Sequence, residues 1–250
     1  MKRLLAAGSG SIYQICKAFR QGEVGRLHNP EFTLLEWYSV GFDLNALMAE
    51  VEALFAVLLG PQWQAECARR VTYQAIFQHY TGLDALAFDL ARYSAYARQH
   101  ALLDAPRLCG EEHALWLDFL FSHQVQPHLG AEGLVQVYAY PACQAALARI
   151  NPTDARVADR VELFWRGIEI GNGYFELDDE QEQARRFQAE QAYRSAHGLP
   201  EVAIDYKFLA ALHAGLPHCA GMAIGLDRLL LLLSASASLA EVLAFPLRRD

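Results

Sequence analysis

Three glutamates stand at equal intervals of seven, Glu162, Glu169 and Glu176, with Gly171-Asn172-Gly173 between the last two. Carboxylates that converge in a folded chain are costly unless a cation joins them, so convergence here means a divalent metal or an ammonium. On a regular strand an odd interval sends side chains to opposite faces. The two glycines can break that rule with bulges and let the chain approach a ligand closely. A second group, Arg20, Arg26, His28 and Asn29, occupies Phe19-Arg20-Gln21-Gly22-Glu23-Val24-Gly25-Arg26-Leu27-His28-Asn29-Pro30-Glu31-Phe32. The guanidinium fork suits phosphate oxygens, although a solvated charged loop carries the same residues. The third group is Gly221-Met222-Ala223-Ile224-Gly225-Leu226-Asp227-Arg228. Gly225 permits close backbone approach to a flat ligand. Arg228, in the first turn of a following helix, can reach a phosphate that the helix N-terminus also attracts. A plain glycine turn with a surface Asp-Arg pair is the alternative.

Strands must position these groups. Residues 12–19 and 31–38 are β-branched and aromatic with partial alternation, and a loop with Gly22, Gly25 and Pro30 joins them. Asp43 caps a helix in which Leu44, Leu47, Met48, Val51, Leu54, Phe55 and Leu58 follow helical spacing up to Gly60-Pro61. From about residue 61 to 133 the pattern is helical and reads as an insertion. Strand signals return at 134–140, 160–165, 167–177 and 219–224; helices are expected over 179–197, 206–214 and from near Asp227. Ser238 and Glu241 read as a capping box for a last short helix. Strand pairs with helices inserted later predict an α+β fold with a mainly antiparallel sheet. Neither G-x-G-x-x-G nor G-x-x-x-x-G-K-[ST] occurs, so the two commonest phosphate loops are absent.

Composition narrows the class. With 53% hydrophobic and 20% charged residues, the 250-residue chain can build a sizeable core, which excludes wholesale disorder. Lys and Arg number 21 against 29 Asp and Glu, and a net charge of -8 argues against gripping many phosphates by bulk charge. Cys16, Cys67, Cys109, Cys143 and Cys219 are scattered without a C-x-x-C, so neither a disulfide framework nor a zinc ribbon is supported. A reduced, cytoplasmic compartment fits. Lys2-Arg3-Leu4-Leu5-Ala6-Ala7 looks like the start of a signal peptide, but Gly8-Ser9-Gly10 ends the apolar run too early. The leucines at 229–233 are stopped by Ser234, Ser236 and Ser238, so a soluble protein with no membrane partner is expected.

The order of these segments resembles class II aminoacyl-tRNA synthetases. The segment from Phe19 is similar to motif 2, and Gly221 to Arg228 looks like motif 3, G-x-x-x-G-x-D-R. Within that class, H-N-P-E-F-T-x-x-E-x-Y (His28 to Tyr38) and G-N-G-x-x-E-L (Gly171 to Leu177) are similar to lysyl-tRNA synthetases. M-K-R-L-L at the start, E-W-Y at Glu36 to Tyr38 and Y-P-A-C-Q-A-A-L-A at Tyr140 to Ala148 narrow the resemblance further. They point to the lysyl-synthetase paralogues that ligate β-lysine to elongation factor P. The match runs over nearly the whole chain, thinly from about 61 to 133.

The resemblance implies a class II catalytic core over 1–250, its mainly antiparallel sheet flanked by helices, with a helical insertion at about 61–133. It implies ATP and Mg²⁺. Arg20 would clamp the α-phosphate and Arg228 the γ-phosphate, with His28, Asn29, Glu169, Ile170 and Gly225 about the nucleotide and Glu162 and Glu169 on the metal. Glu36, Tyr38 and Glu176 would surround the ε-ammonium of lysine or β-lysine, and Asn172 would face the carboxylate. Ala223, where lysyl-tRNA synthetases carry glycine, would disfavour an α-amine and leave room for a β-amine. The amino-acid carboxylate attacks the α-phosphate, and an acceptor amine then attacks the mixed anhydride, so no protein nucleophile is needed. The implied acceptor is elongation factor P; nothing before residue 12 could form an anticodon-binding barrel, which disfavours tRNA. Lysyl-tRNA synthetase-like charging and a silent binding paralogue are the other readings. Family members carry motif 1, which builds a homodimer, and an S-P-E segment ahead of the position of Met1; both are expected to be missing. The motif 2 pattern R-N-E reads Arg20-Gln21-Gly22, so Gly22 is expected to weaken ATP recognition.

Overall fold

The computed structural model describes residues 1–63 and 68–247, so Cys67 lies outside the described residues. Strands β1 (Ile12–Phe19), β2 (Glu31–Val40), β3 (Arg69–Thr72), β4 (Val135–Pro141), β5 (Val157–Trp165), β6 (Ile168–Phe175) and β7 (Cys219–Gly225) form one sheet in the order β1-β2-β7-β6-β5-β4-β3. Every pairing is antiparallel except β3 with β4. β7 is rich in small and apolar residues and is buried on both faces, as a central strand requires. It inserts between β2 and β6 and so brings three distant sequence segments side by side.

One face of the sheet carries the helix Leu44–Leu59, whose start is capped by the Asp43 carboxylate accepting from the Ala46 N–H at 2.8 Å. Its Leu47, Val51 and Phe55 bury against Val161, Leu163, Met222 and Ile224. Each contributes roughly 1.5–3 kcal/mol on burial. The stretch Leu44–Gln62 is long and apolar enough to cross a membrane by length and composition; Leu47, Met48, Val51 and Phe55 are buried on one side of it, while Val57 and Leu58 are exposed.

The other face is covered at both ends. Over β3 to β5 the helices Tyr73–Thr81, Leu90–Gln99, Ala105–Cys109 and His113–Leu120 pack Tyr73, Phe77, Trp116 and Leu117 onto Val137, Tyr140 and Phe164. Over the edge of β2 and β7, the helices Lys2–Ala6 and Tyr206–Gly215 pack Leu5, Leu209 and Leu212 around Tyr38 and Cys219. The site lies between them.

Three sequence expectations change. Arg69–Thr72 is a strand inside the stretch read as helical; it hydrogen-bonds in parallel to β4, with Arg69 N–H donating to Leu134 at 2.9 Å. The signal-like opening is the helix Lys2–Ala6, with Leu5 buried in the core. The capping box at Ser238 is not formed: Leu239–Glu241 is a single 3-10 turn, and the Glu241 carboxylate instead accepts from Ser238 Oγ and the Ala237 N–H.

Candidate active site

Cross-strand pairing lines up one row of residues, Gln14, Glu36, Ala223, Asn172, Glu162 and Val137, on strands β1, β2, β7, β6, β5 and β4. Directly opposed residues share a face, so this row projects to one side. The next row on that side is Ile12, Tyr38, Gly221, Tyr174 and Arg160. Glu36 and Asn172 are two strand spacings apart, about 9.5 Å, and Glu162 is one more, about 14 Å from Glu36.

The odd spacing of the glutamates is resolved by a bulge. Leu163 pairs with Gly171, but Phe164 pairs with Glu169, which leaves Ile170 as the extra residue and returns Glu169 to the face of Glu162. Glu176 follows Asn172 and Tyr174 at even intervals and reaches the same face. The glycines do not make this bulge, contrary to the sequence expectation. Gly171 and Gly173 point to the opposite side, where a Cβ would stand 3.0 Å from the Ala223 carbonyl and 2.6 Å from Met222 Cε. They serve the close packing of the sheet.

The first end of the site is a cavity of about 330 Å³, lined by Arg20, Glu23, His28, Asn29, Glu169, Ile170, Asn172, Ala223, Gly225 and Arg228. The Arg228 guanidinium donates to the Leu27 carbonyl (3.1 Å), the Glu169 carbonyl (2.8 Å) and His28 Nε2 (2.9 Å). Burial, and then the Arg228 charge, lower the pKa of His28, which suits its role as an acceptor. Asp227 accepts from the Thr33 N–H at 2.6 Å and pins the helix start to β2. Arg20 is largely exposed and pairs with Glu23 at 3.3 Å. Asn29 stands on the cavity wall, but its amide is used on backbone, donating to Glu31 (2.6 Å) and accepting from Leu247 (3.0 Å). A Cβ on Gly225 would come no closer than 3.9 Å to Ile170 O, so this glycine keeps the floor open rather than avoiding a clash. Gly22 has φ +83° with open space around it.

The middle of the site holds the carboxylate pair. Glu162 accepts from Tyr140 Oη (2.6 Å), Asn172 Nδ2 (3.0 Å) and Arg160. Burial and then repulsion from Glu162 push Glu169 above the usual carboxylate range, against the Arg228, Arg160 and Arg20 charges. Glu162 and Glu169 also line a second cavity of about 460 Å³ beneath the helical insertion. Among the described residues no cluster of three or more His, Cys, Asp or Glu has metal-ligand geometry. Two close carboxylates on one face nevertheless suit Mg²⁺, which keeps most of its ligands as water and phosphate oxygen. Arg160 escaped the sequence reading. Burial opposes its charge, but Glu162 holds its pKa up; it donates to the Gln144 carbonyl at 2.6 Å and lies 4.6 Å from the Tyr140 ring. Its two-residue spacing from Glu162 was the available signal.

The far end is closed. Glu36 accepts from Tyr38 Oη at 2.6 Å and Gln14 Nε2 at 3.1 Å. Glu176 is 3% exposed, and its Oε2 lies 2.5 Å from Lys2 Nζ. Burial raises the Glu176 pKa, and Lys2 works against that rise. Burial, with Glu176 next, pushes the Tyr38 hydroxyl far up, so it stays a donor. A Cβ on Gly221 would fall 2.5 Å from the Tyr38 ring and 2.7 Å from Glu176 Oε1; only glycine lets the two close over β7. Glu36, Tyr38 and Glu176 are thus gathered together, next to the 330 Å³ cavity but not among its lining residues.

A family model described as tRNA synthetases class II (D, K and N) matches residues 1–249. A protein of Vibrio cholerae named elongation factor P–(R)-β-lysine ligase is 48% identical over 249 residues, covering 100% of this chain and 75% of the relative. Proteins with the same name from Pasteurella multocida and Vibrio vulnificus are 45% and 47% identical, each over 98% of this chain and 74% and 75% of their own lengths.

Proposed function

Given that the chain belongs to the class II tRNA synthetase family (D, K and N), we propose that it is an ATP-dependent ligase acting on β-lysine and elongation factor P. It activates the amino acid as an aminoacyl-adenylate and transfers it to a lysine of elongation factor P. The row Glu36, Ala223, Asn172, Glu162 carries this reading. It sets in sequence a carboxylate for a terminal ammonium, an amide for a carboxylate, and the first of two carboxylates for a metal; the second, Glu169, lies opposite Phe164. The first two are separated by about 9.5 Å, the scale of an extended lysine with its hydrogen bonds.

In the first step the amino-acid carboxylate attacks the α-phosphorus, the bond to the bridging oxygen breaks, and pyrophosphate leaves. Asn172 keeps one amide hydrogen beyond the one given to Glu162 and uses it to orient that carboxylate. Arg20 and Arg228 neutralise the phosphates, Arg228 by exchanging its present backbone and His28 acceptors for phosphate oxygens. Glu162 and Glu169 would hold Mg²⁺, which would supply charge screening for the triphosphate. In the second step the acceptor amine attacks the acyl carbon and AMP leaves. No side chain forms a covalent intermediate, and alignment of reactants can supply about 7–11 kcal/mol of the barrier. Ala223, between Glu36 and Asn172, places a methyl where it disfavours an α-amine. The cytoplasm is the compartment of this reaction, and tRNA is not its acceptor.

The test incubates the purified chain with ATP, Mg²⁺, (R)-β-lysine and elongation factor P, and in parallel with α-lysine and tRNA. A mass increase of one β-lysyl group on elongation factor P, without charged tRNA, is expected. Efficient tRNA charging with elongation factor P unmodified would overturn the reading.

A further inference from the structure

Lys2 belongs to none of the groups that the reaction uses, yet its ammonium lies 2.5 Å from Glu176 Oε2, with side-chain exposures of 11% and 2%. The helix Lys2–Ala6 fixes it there: Leu5 is buried among Leu209, Leu212 and Leu216, and the Lys2 ammonium lies 5.5 Å from the Phe208 ring. The charged and titratable groups that face Glu176 are Lys2 from this helix, Glu36 and Tyr38 from β2, Tyr174 from β6 and Cys219 from β7. Glu36 has both oxygens engaged by the neutral donors Tyr38 and Gln14. The charge count at this end is therefore two carboxylates against one ammonium.

We propose that Lys2 is a positioning residue of the amino-acid site, neutralising one of the two carboxylates and holding Glu176 ionised in a fixed rotamer. One negative charge is then left for one terminal ammonium of the substrate. A buried carboxylate without such a partner takes up a proton instead, because burial disfavours the charged form. Glu176 shows both influences, burial raising its pKa and Lys2 opposing it. This inference rests on the reading of Glu176 as part of the β-lysine site. It has a rival of opposite sign, in which Lys2 merely fills the substrate's place and must be displaced.

The test is β-lysine binding to the full chain by calorimetry, for the parent, Lys2→Met and Lys2→Arg, with ATP binding measured on the same samples. Lys2→Met is expected to weaken β-lysine by about 10-fold or more at neutral pH and leave ATP affinity unchanged. The loss should shrink as pH rises above neutral, because burial keeps Glu176 without its counter-ion protonated until higher pH. Lys2→Arg should restore most of the affinity. If Lys2→Met unfolds, Lys2→Gln replaces it, with thermal unfolding as the check. Unchanged or tighter β-lysine binding in the neutral variants would overturn the inference, and tighter binding would favour the displaced-occupant rival. A loss that is independent of pH and not rescued by arginine would also overturn it. A parent chain that binds ATP but no β-lysine would contradict the functional reading itself, and this inference with it.

Discussion

The two ends of the site solve opposite problems. At the phosphate end the cavity of about 330 Å³ is open, Arg20 is mostly in solvent, and the partners of Arg228 are two carbonyls and a neutral imidazole. Those are acceptors that a phosphate can replace without stranding a charge. At the ammonium end Tyr38 is packed under two helices, Glu176 is buried and already meets a cation, and Glu36 lies half-buried beside them. A carboxylate buried like Glu176 discriminates strongly, because a ligand lacking the ammonium leaves it unpaired. Under the proposed function, the open end would accept a large polyanion from water and the closed end would choose the amino acid.

The largest effect is expected at the open end. Arg228→Ala removes a charge-assisted donor from the developing pyrophosphate and should lower kcat by about 10²–10³. The β-lysine affinity should not move; a parallel loss of that affinity would show that the two ends are not separable. Ala223→Gly sits at the junction. Removing its methyl should shift pyrophosphate exchange towards α-lysine by about 10–200-fold, the range for one methyl in a pocket. No shift would reduce Ala223 to a packing residue of β7. Glu176→Gln should weaken β-lysine by about 10-fold or more, since a charged hydrogen bond contributes roughly 1.5–3 kcal/mol, while ATP binding stays as it was. In the parent, β-lysine binding should fall as pH drops through the raised Glu176 pKa, starting above the range of an ordinary carboxylate; the glutamine variant should lack that limb. The smallest effect is expected from Gly22→Glu. Residue 22 sits at φ +83°, so a side chain there strains the backbone, at about 1–2 kcal/mol, and its Cβ meets nothing within 4 Å. Thermal unfolding should register the strain and ATP should bind no tighter. Tighter ATP binding would bear out the sequence expectation that Gly22 weakens ATP recognition; unchanged binding would leave the role to Glu23, which lines the cavity.

The difference between the ends also sets what could be read from the chain. Six of the seven strands were legible from alternation and glycine punctuation. Arg69–Thr72 was not, because two of its four residues are charged and its identity comes from pairing with β4. The residues that line the open end could be grouped from the sequence because nearly all of them lie in three compact segments, 20–34, 169–174 and 223–228. That Glu162 and Glu169 share a face was undecidable, since it depends on a bulge at Ile170 that only the register reveals. Lys2 was hidden for a different reason: an apolar opening of the chain says nothing of a contact made with a residue 174 positions later. Arg160 shows the reverse case, a two-residue strand spacing that was available and unused.

The central claim is that the closed end reads a terminal ammonium, and one comparison of substrates tests it most directly. ATP–pyrophosphate exchange is measured with β-lysine and with 3-aminohexanoic acid, which keeps the carboxylate and the β-amine and lacks the ε-amine. The expected result is exchange with β-lysine and a kcat/KM lower by about 10-fold or more for the analogue. Equal kcat/KM for the two acids would contradict the claim and leave Glu36, Tyr38, Glu176 and Lys2 as a structural cluster beside the site.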